Sequence, residues 1–224
     1  MKRISCIIFD LDGTLAQTNE LIFASINHIA QKYLHKQFSP DEITKMFGPP
    51  EEVVIERLVG KENSQNALND FIRFYELNHP SLADSYRGIK EILEFLSQNG
   101  VILTIFTGKG KRTALITLEH LGIKKYFDLI VTGNDVNEHK PSAEGICKVM
   151  SKFDLELDEV LMVGDSVADV KAAHEAGVQI AAVLWDSYGK DKVLQMEVDY
   201  AFFRTEDFMD WLRTRFNTYS GSAN

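Results

Sequence analysis

The feature that most constrains this chain is residues 4–15, ISCIIFDLDGTL, in which a short apolar run meets two aspartates. Residues 4–9 are rich in β-branched and aromatic side chains, which predicts a strand buried on both faces. Burying an ionised carboxylate without a partner is costly, so Asp10 and Asp12 must face a cation, solvent or a ligand. Because open α/β sheets bind ligands at the carboxyl ends of their strands, this position predicts a site.

Composition excludes several classes of partner. The chain has 224 residues, 45% hydrophobic and 25% charged, with a formal net charge of −9 and no lysine- or arginine-rich block. That balance argues against nucleic-acid and membrane partners, but it leaves a phosphate substrate open, since a metal can neutralise the site locally. Residues 4–9 are too short for a signal peptide, and no apolar run approaches the length of a membrane span. We therefore expect a cytoplasmic protein.

The apolar pattern changes along the chain from strand-like to helical and then to an alternation of both. From residue 15 to about residue 81 the periodicity is helical, with a capping box at residues 39–42. A further helix is expected to begin after Asn63 or Ser64 and to stop near Pro80. Strands are predicted at residues 101–106, 126–131, 160–163, 178–183 and, at an edge, 200–203. This alternation with helices predicts parallel βαβ units, hence an α/β fold.

Polar residues end several of these strands. Thr107 follows the second strand and Asp165 the fourth, while Lys140 lies in an extended loop before a helix because it precedes a proline. The carboxyl ends of parallel strands lie side by side, so these residues should converge with Asp10 and Asp12. Carboxylates crowded in this way need a divalent cation, and a set of oxygen ligands favours Mg²⁺ over zinc.

The motifs FDLDGTL, Thr107 after VILTIF, HKPS around Lys140 and VGDS around Asp165 occur in an order that resembles the haloacid dehalogenase-like superfamily of phosphohydrolases. The likeness is closest to the phosphoglycolate phosphatase-like subgroup. It implies a doubly wound, mostly parallel Rossmann-like sheet with an inserted all-helical cap. The expected divisions are a core of residues 1–15 and 86–216, a cap of residues 16–85 hinged near residues 16–18 and 83–86, and a flexible tail of residues 217–224.

The resemblance also implies a role for each site residue. Asp10 is expected to be the nucleophile and Asp12 the general acid and base. Mg²⁺ is expected on Asp10, Asp165 and the backbone carbonyl of Asp12, with Asp169 binding through water or supporting the ligands from behind. The groups expected to hold the phosphate oxygens are Thr107, Lys140 and the backbone N–H groups of Leu11 and Gly108.

The expected function is therefore Mg²⁺-dependent hydrolysis of a small phosphorylated metabolite, similar to phosphoglycolate, through an aspartyl-phosphate. A sugar phosphomutase or a pyrophosphatase on the same scaffold, and a non-catalytic sensor of a phosphate ligand, are the alternatives. A haloacid dehalogenase is disfavoured because it has no use for Asp12 as an acid or for a magnesium site.

Three positions depart from the pattern of the subgroup: Gln17 replaces an acidic residue, Gly108 an asparagine and Arg87 a proline. Lys109 is expected to be a surface group. The expected candidates for substrate specificity lie in the cap and are Lys45, Phe47, Arg57 and residues 48–50.

Overall fold

A six-stranded sheet forms the centre of the computed structural model, which describes residues 3–220. In chain order the strands are β1 (Cys6–Phe9), β2 (Ala16–Gln17), β3 (Asp84–Ser85), β4 (Ile102–Phe106), β5 (Leu129–Val131), β6 (Val160–Gly164), β7 (Gln179–Val183) and β8 (Tyr200–Phe202). The sheet has the order β5-β4-β1-β6-β7-β8, and its neighbouring strands are all parallel. The two strands outside it, β2 and β3, form a separate antiparallel pair.

The helices are α1 (Asn19–Leu34), α2 (Pro40–Thr44), α3 (Glu51–Val59), α4 (Lys61–Leu82), α5 (Ile89–Gln98), α6 (Lys111–His120), α7 (Glu144–Phe153), α8 (Val167–Ala176), α9 (Lys190–Val193) and α10 (Thr205–Ser220). Short 3₁₀ turns occur at Lys124–Tyr126, Gly133–Asp135 and Leu157–Glu159. None of the helices within residues 3–220 is long and apolar enough to cross a membrane.

Strand β1 is buried on both faces, as its composition predicts. Ile7 and Phe9 pack into a core with α5, α6 and α10, whereas Cys6 and Ile8 pack into a second core with α7 and α8. The sheet therefore carries helices on both faces, which confirms the predicted doubly wound α/β fold. Because β1 lies between β4 and β6, the ends of these three strands are adjacent.

Helices α1 to α4 form the predicted helical insertion. Their apolar side chains build a third core that includes Leu21, Ile29, Ile55, Phe71 and Tyr75. The two connections to the sheet run side by side, since β2 pairs with β3 through Ala16 with Ser85 and Gln17 with Asp84. The chain thus enters and leaves the insertion through one short ribbon.

Two predicted boundaries are wrong. Helix α4 begins at Lys61 and continues through Pro80 to Leu82. A proline this close to the end of the helix removes a single backbone hydrogen bond. The last two turns of α4 also contact α6, with Tyr75 Oη 2.7 Å and His79 Nε2 3.3 Å from Thr117 Oγ1. Strand β5 begins at Leu129 instead of residue 126, because Lys124–Tyr126 forms a 3₁₀ turn.

The predicted tail also begins too early, because α10 runs on to Ser220. The rest of that predicted tail, residues 221–224, lies outside the described residues.

The contact between α7 and β4 supplies a test of the fold. A Cβ on Gly145 would lie 2.2 Å from Cε2 of the Phe106 ring. Replacing a helical glycine by alanine normally stabilises a protein by up to about 1 kcal/mol. We expect Gly145→Ala instead to lower the free energy of unfolding by about 1–3 kcal/mol, because the methyl group overpacks this contact. Urea unfolding followed by circular dichroism measures the change.

Gly189→Ala is the matched control. Gly189 has a φ of −95°, and its added Cβ would meet only Ser187 Oγ at 3.8 Å. This variant should unfold at the wild-type urea concentration. A Gly145→Ala variant as stable as the control would contradict the packing described here.

Candidate active site

The ends of β1, β4 and β6 bring together the residues that the sequence singles out. Asp10 follows β1, Thr107 follows β4 and Asp165 follows β6, while the loop before α7 adds Lys140. One cavity of about 590 Å³ is lined by all four of these residues and by Asp12. The predicted convergence at this edge of the sheet is thus present in the structure.

A buried ammonium lies at the centre of this group. Lys140 Nζ is 2.6 Å from Asp10 Oδ1 and 2.6 Å from Asp169 Oδ1, and it donates to the carbonyl of Phe106 at 3.2 Å. The exposed fraction of the Lys140 side chain is 6%, and that of Asp169 is zero. Oxygen atoms of Asp10, Asp165 and Asp169 lie within 4.8 Å of one another. Three carboxylates therefore share one cation.

The start of α8 fixes the orientation of Asp169. Its Oδ2 accepts hydrogen bonds from the Ser166 backbone N–H at 3.0 Å and from the Ser166 hydroxyl at 2.6 Å. The Asp169 N–H donates back to Ser166 Oγ at 3.3 Å, which completes a capping box. Both oxygens of Asp169 are consequently occupied, one by Ser166 and the other by Lys140.

Two glycines allow the carboxylates to approach the backbone. A Cβ on Gly13 would lie 2.7 Å from Asp165 Oδ2, and a Cβ on Gly164 would lie 2.4 Å from Asp169 Cγ. Gly13 also has a φ of +80°, a conformation that other residues rarely adopt. The Asp-Gly pair after β1 therefore has a geometric role, since any side chain at position 13 would displace Asp165.

Burial changes the protonation of these groups. Loss of hydration raises the pKa of Asp10 to about 7, which outweighs the attraction of Lys140, and the charge of Asp169 adds to the rise. Burial also raises the pKa of Asp165 well above its usual range, helped by the charges of Asp169 and Asp10. For Lys140, burial opposes the charged form, but the two adjacent carboxylates prevail and raise its pKa.

This donor set fits a small, hard divalent cation. Its donors are carboxylate oxygens, and their negative charge exceeds the single positive charge of Lys140. Mg²⁺ takes oxygen ligands and retains several waters, so a few protein oxygens suffice. Asp10 and Asp165 could bind it directly, whereas Asp169, held by Ser166 and Lys140, could position that lysine.

The side chain of Asp12 contacts a different cation, Lys109. Its Oδ2 lies 3.2 Å from Lys109 Nζ, and its Oδ1 accepts a hydrogen bond from the Thr18 hydroxyl. The expectation that Lys109 is a surface group is wrong, because only 2% of its side chain is exposed. Burial opposes the charge of Lys109, but Asp12, Tyr75 and Glu51 raise its pKa above the usual range.

Glu51, the first residue of α3, connects the helical insertion to this cluster. Its Oε1 lies 3.5 Å from Lys109 Nζ and accepts from the Thr113 hydroxyl at 2.6 Å. Its Oε2 accepts from the Gly110 N–H at 2.6 Å, at the start of α6. Nothing in the sequence distinguishes Glu51, since an acidic residue in the first turn of a helix is common. The sequence does carry a signal for Lys109 as a site residue, because it lies in the same turn after β4 as Thr107.

The remaining predicted residues occupy different places around the cavity. Thr107 is buried, and its hydroxyl accepts a hydrogen bond from the Lys109 N–H at 3.2 Å. Gly108 lies against the insertion, since a Cβ there would be 2.5 Å from the Gly48 carbonyl oxygen. A side chain at this position would therefore displace the Gly48 carbonyl. The side chain of Leu11 is buried in the core beside α5 and α6 and does not line the cavity.

The candidates for specificity divide into two groups. Lys45, Phe47, Gly48 and Pro49 line the cavity, whereas Pro50, which is buried, and Arg57, which is exposed, lie outside its lining. The predicted placement of Pro50 and Arg57 at the site is therefore wrong.

Comparison with known proteins agrees with the resemblance that the motifs indicate. The family model of haloacid dehalogenase-like hydrolases matches residues 7–183. Pyrophosphatase PpaX of Bacillus velezensis is 34% identical over 210 residues, which cover 93% of this chain and 96% of that protein.

Solved structures resemble most of the chain. A protein described as a predicted phosphoglycolate phosphatase, from Haemophilus somnus, has a TM-score of 0.85 and 26% identity, covering 95% of this chain and 99% of that one. A candidate β-phosphoglucomutase from Thermotoga maritima has a TM-score of 0.74 and 27% identity, covering 94% and 99%. These three proteins are similar to nearly the whole of this chain, but they carry the names of three different activities.

The buried pairs of Lys109 supply a test of the site. We expect Lys109→Met to lower the free energy of unfolding by about 3 kcal/mol, because Asp12 and Glu51 lose the cation that both contact. Lys111→Met is the control, since Lys111 lies in the next turn with 59% of its side chain exposed and 3.3 Å from Asp135. Its loss should cost under about 1 kcal/mol. Equal urea midpoints for the two variants would contradict the buried network.

The raised pKa of Asp10 predicts how the metal-free protein responds to pH. Its carboxyl titrates near 7 when folded and near 3.8 when unfolded. The folded state therefore binds more protons between these values, and its stability falls as the pH rises through this window. In the presence of a chelator, the free energy of unfolding of the wild type should fall by a few kcal/mol relative to that of Asp10→Asn as the pH rises from about 4 to about 7.

Added Mg²⁺ should reverse this loss, and more strongly at pH 7 than at pH 5, because the ionised carboxylates bind it. Thermal unfolding of both variants with and without Mg²⁺ measures the effect. A difference between wild type and Asp10→Asn that stays constant with pH would be inconsistent with a raised pKa at Asp10.

Proposed function

The chain belongs to the haloacid dehalogenase-like hydrolases, and from that membership and the site geometry we propose that it is a Mg²⁺-dependent phosphatase acting on a small phosphorylated metabolite. The observation that carries this proposal is the cluster of Asp10, Asp165 and Asp169 around Lys140 at the ends of adjacent strands. Such a cluster supplies both an anionic nucleophile and the cationic surroundings that a phosphate ester needs.

The carboxylates of Asp10 and Asp165, with the backbone carbonyl of Asp12, would hold Mg²⁺. When bound, the ion supplies positive charge that offsets the repulsion between the Asp10 carboxylate and the phosphate dianion. Asp169 would act on the site through Lys140, which it holds at 2.6 Å.

Asp10 would attack the phosphorus atom, forming a bond from a carboxylate oxygen while the bond to the leaving oxygen breaks. The leaving alkoxide would take its proton from Asp12, which then accepts a proton from the water that hydrolyses the aspartyl-phosphate. Lys140, Thr107 and the backbone N–H groups of Leu11 and Gly108 would stabilise the charge on the transferring phosphoryl oxygens.

Residues 16–85 would serve as a cap over this reaction. The insertion supplies a wall of the cavity and contacts the turn after β4 through Glu51 and Gly48. A cap in this position would exclude bulk water from the aspartyl-phosphate until the leaving group has departed.

Pyrophosphate hydrolysis is the second candidate, and the similarity to PpaX of Bacillus velezensis favours it. The attack on phosphorus would be the same, but the leaving group would be a phosphate. A phosphomutase would differ by returning the phosphoryl group to a second hydroxyl.

Hydrolysis of p-nitrophenyl phosphate tests the proposal. Activity is expected with Mg²⁺ and absent with excess chelator. Asp10→Asn should lower kcat by at least about 10³-fold, because an amide is not a nucleophile toward phosphorus. Asp210→Asn, an exposed aspartate on α10, is the matched control and should keep the wild-type rate. Turnover that survives in Asp10→Asn, or in chelator, would refute the mechanism.

A further inference from the structure

The cavity extends well beyond the residues that would hold a phosphate. Its volume of about 590 Å³ lies within the range of pockets that bury whole small molecules, about 300–1,000 Å³. The phosphate-binding groups occupy its floor at the ends of β1, β4 and β6. The wall supplied by the helical insertion is therefore the part that contacts the leaving group.

That wall is largely apolar. Its accessible apolar side chains are Ile22 of α1, Val54 of α3 and Phe47, whose ring is exposed, while Ile26, Ile43 and Phe71 are buried behind them. The three accessible side chains come from different segments of the insertion, so the apolar surface is not the product of one helix face. An apolar group seated there would leave water and gain about fourfold in affinity for each buried methylene.

The cations of the cavity are already engaged or exposed. Among the described residues that line it, the cationic side chains are Lys45, Lys109, Lys140 and Lys192. Lys140 is paired with Asp10 and Asp169, and Lys109 with Asp12 and Glu51. Lys45 and Lys192 are exposed, where water weakens their interaction with an anion.

The carboxylates in the lining add no attraction for an anionic leaving group, since Asp12 and Glu51 are paired with Lys109 and Asp41 is exposed. Asp41 and Glu51 line the cavity together with Asp12. A second negative charge on the substrate, such as the carboxylate of phosphoglycolate or the second phosphate of pyrophosphate, would face these groups and an apolar wall. Burying such a charge without a partner is costly.

We propose that the leaving group is an uncharged, largely apolar alcohol, so that the substrate is an alkyl-type phosphate monoester instead of a phosphorylated carboxylic acid or pyrophosphate. This inference rests on the proposed phosphatase function and narrows its substrate class. The residues that select the substrate are those of the apolar wall, while the floor of the cavity holds the phosphate.

A homologous series of n-alkyl phosphates, from methyl to pentyl, tests the inference. Their alkoxides have nearly equal basicity, so changes in kcat/KM along the series report contacts of the chain. With Mg²⁺ present, kcat/KM should rise about two- to fourfold for each added methylene. Pentyl phosphate should also exceed both phosphoglycolate and pyrophosphate in kcat/KM.

Two valines of α3 provide matched variants. Val54 and Val59 are both half-buried in the core of the insertion, but of the two only Val54 lines the cavity. Val54→Asn should lower the pentyl-to-methyl ratio of kcat/KM about fivefold, whereas Val59→Asn should leave that ratio within about twofold of wild type. If Val54→Asn does not fold, the wild-type series decides alone.

The outcomes separate the two proposals. If kcat/KM stays flat or falls along the alkyl series, and phosphoglycolate or pyrophosphate is preferred, the proposal of an apolar leaving group is wrong. If turnover still depends on Asp10 in that case, the phosphatase function stands. A rising series that Val54→Asn leaves unchanged overturns the role of the wall. No hydrolysis of any of these phosphates, with p-nitrophenyl phosphate still turned over, overturns the substrate class; inactivity toward p-nitrophenyl phosphate as well refutes the phosphatase itself.

Discussion

The pairing of one buried ammonium with several buried carboxylates is the interaction on which this structure depends. Lys140 contacts Asp10 and Asp169 at 2.6 Å, and Asp165 adds a third carboxylate without adding a cation. The site therefore retains negative charge and a raised pKa at Asp10 and Asp165. A bound divalent cation would offset this imbalance, which would link the stability of the fold to the chemistry proposed for it.

A second charged network ties the helical insertion to the site. Lys109 lies between Asp12 of the first turn and Glu51 of α3, and Glu51 also accepts hydrogen bonds at the start of α6. Gly108 permits the Gly48 carbonyl to approach the same turn. The wall proposed to face the leaving group is thus held against Asp12, the group proposed to protonate it.

The sequence was sufficient for the sheet and for the convergence of its strand ends, because both follow from local apolar runs and the parallel topology. Strand β1 and the turn after it lie where the run of residues 4–9 and the two aspartates predict. The end of α4 could not be predicted, because the proline rule acts locally whereas the last turns of this helix pack on Thr117, which lies far away in the sequence. The burial of Lys109 could not be predicted for the same reason, since its partner Glu51 belongs to a helix far away in the sequence.

The central claim is that Asp10 accepts the phosphoryl group. Borohydride reduces an aspartyl-phosphate to homoserine, so the reaction can be quenched with borohydride during turnover of p-nitrophenyl phosphate and the digested protein analysed by mass spectrometry. The account predicts homoserine at residue 10 when substrate and Mg²⁺ are both present, and aspartate when either is omitted. Phosphate release with residue 10 unmodified, or modification at another aspartate, would contradict it.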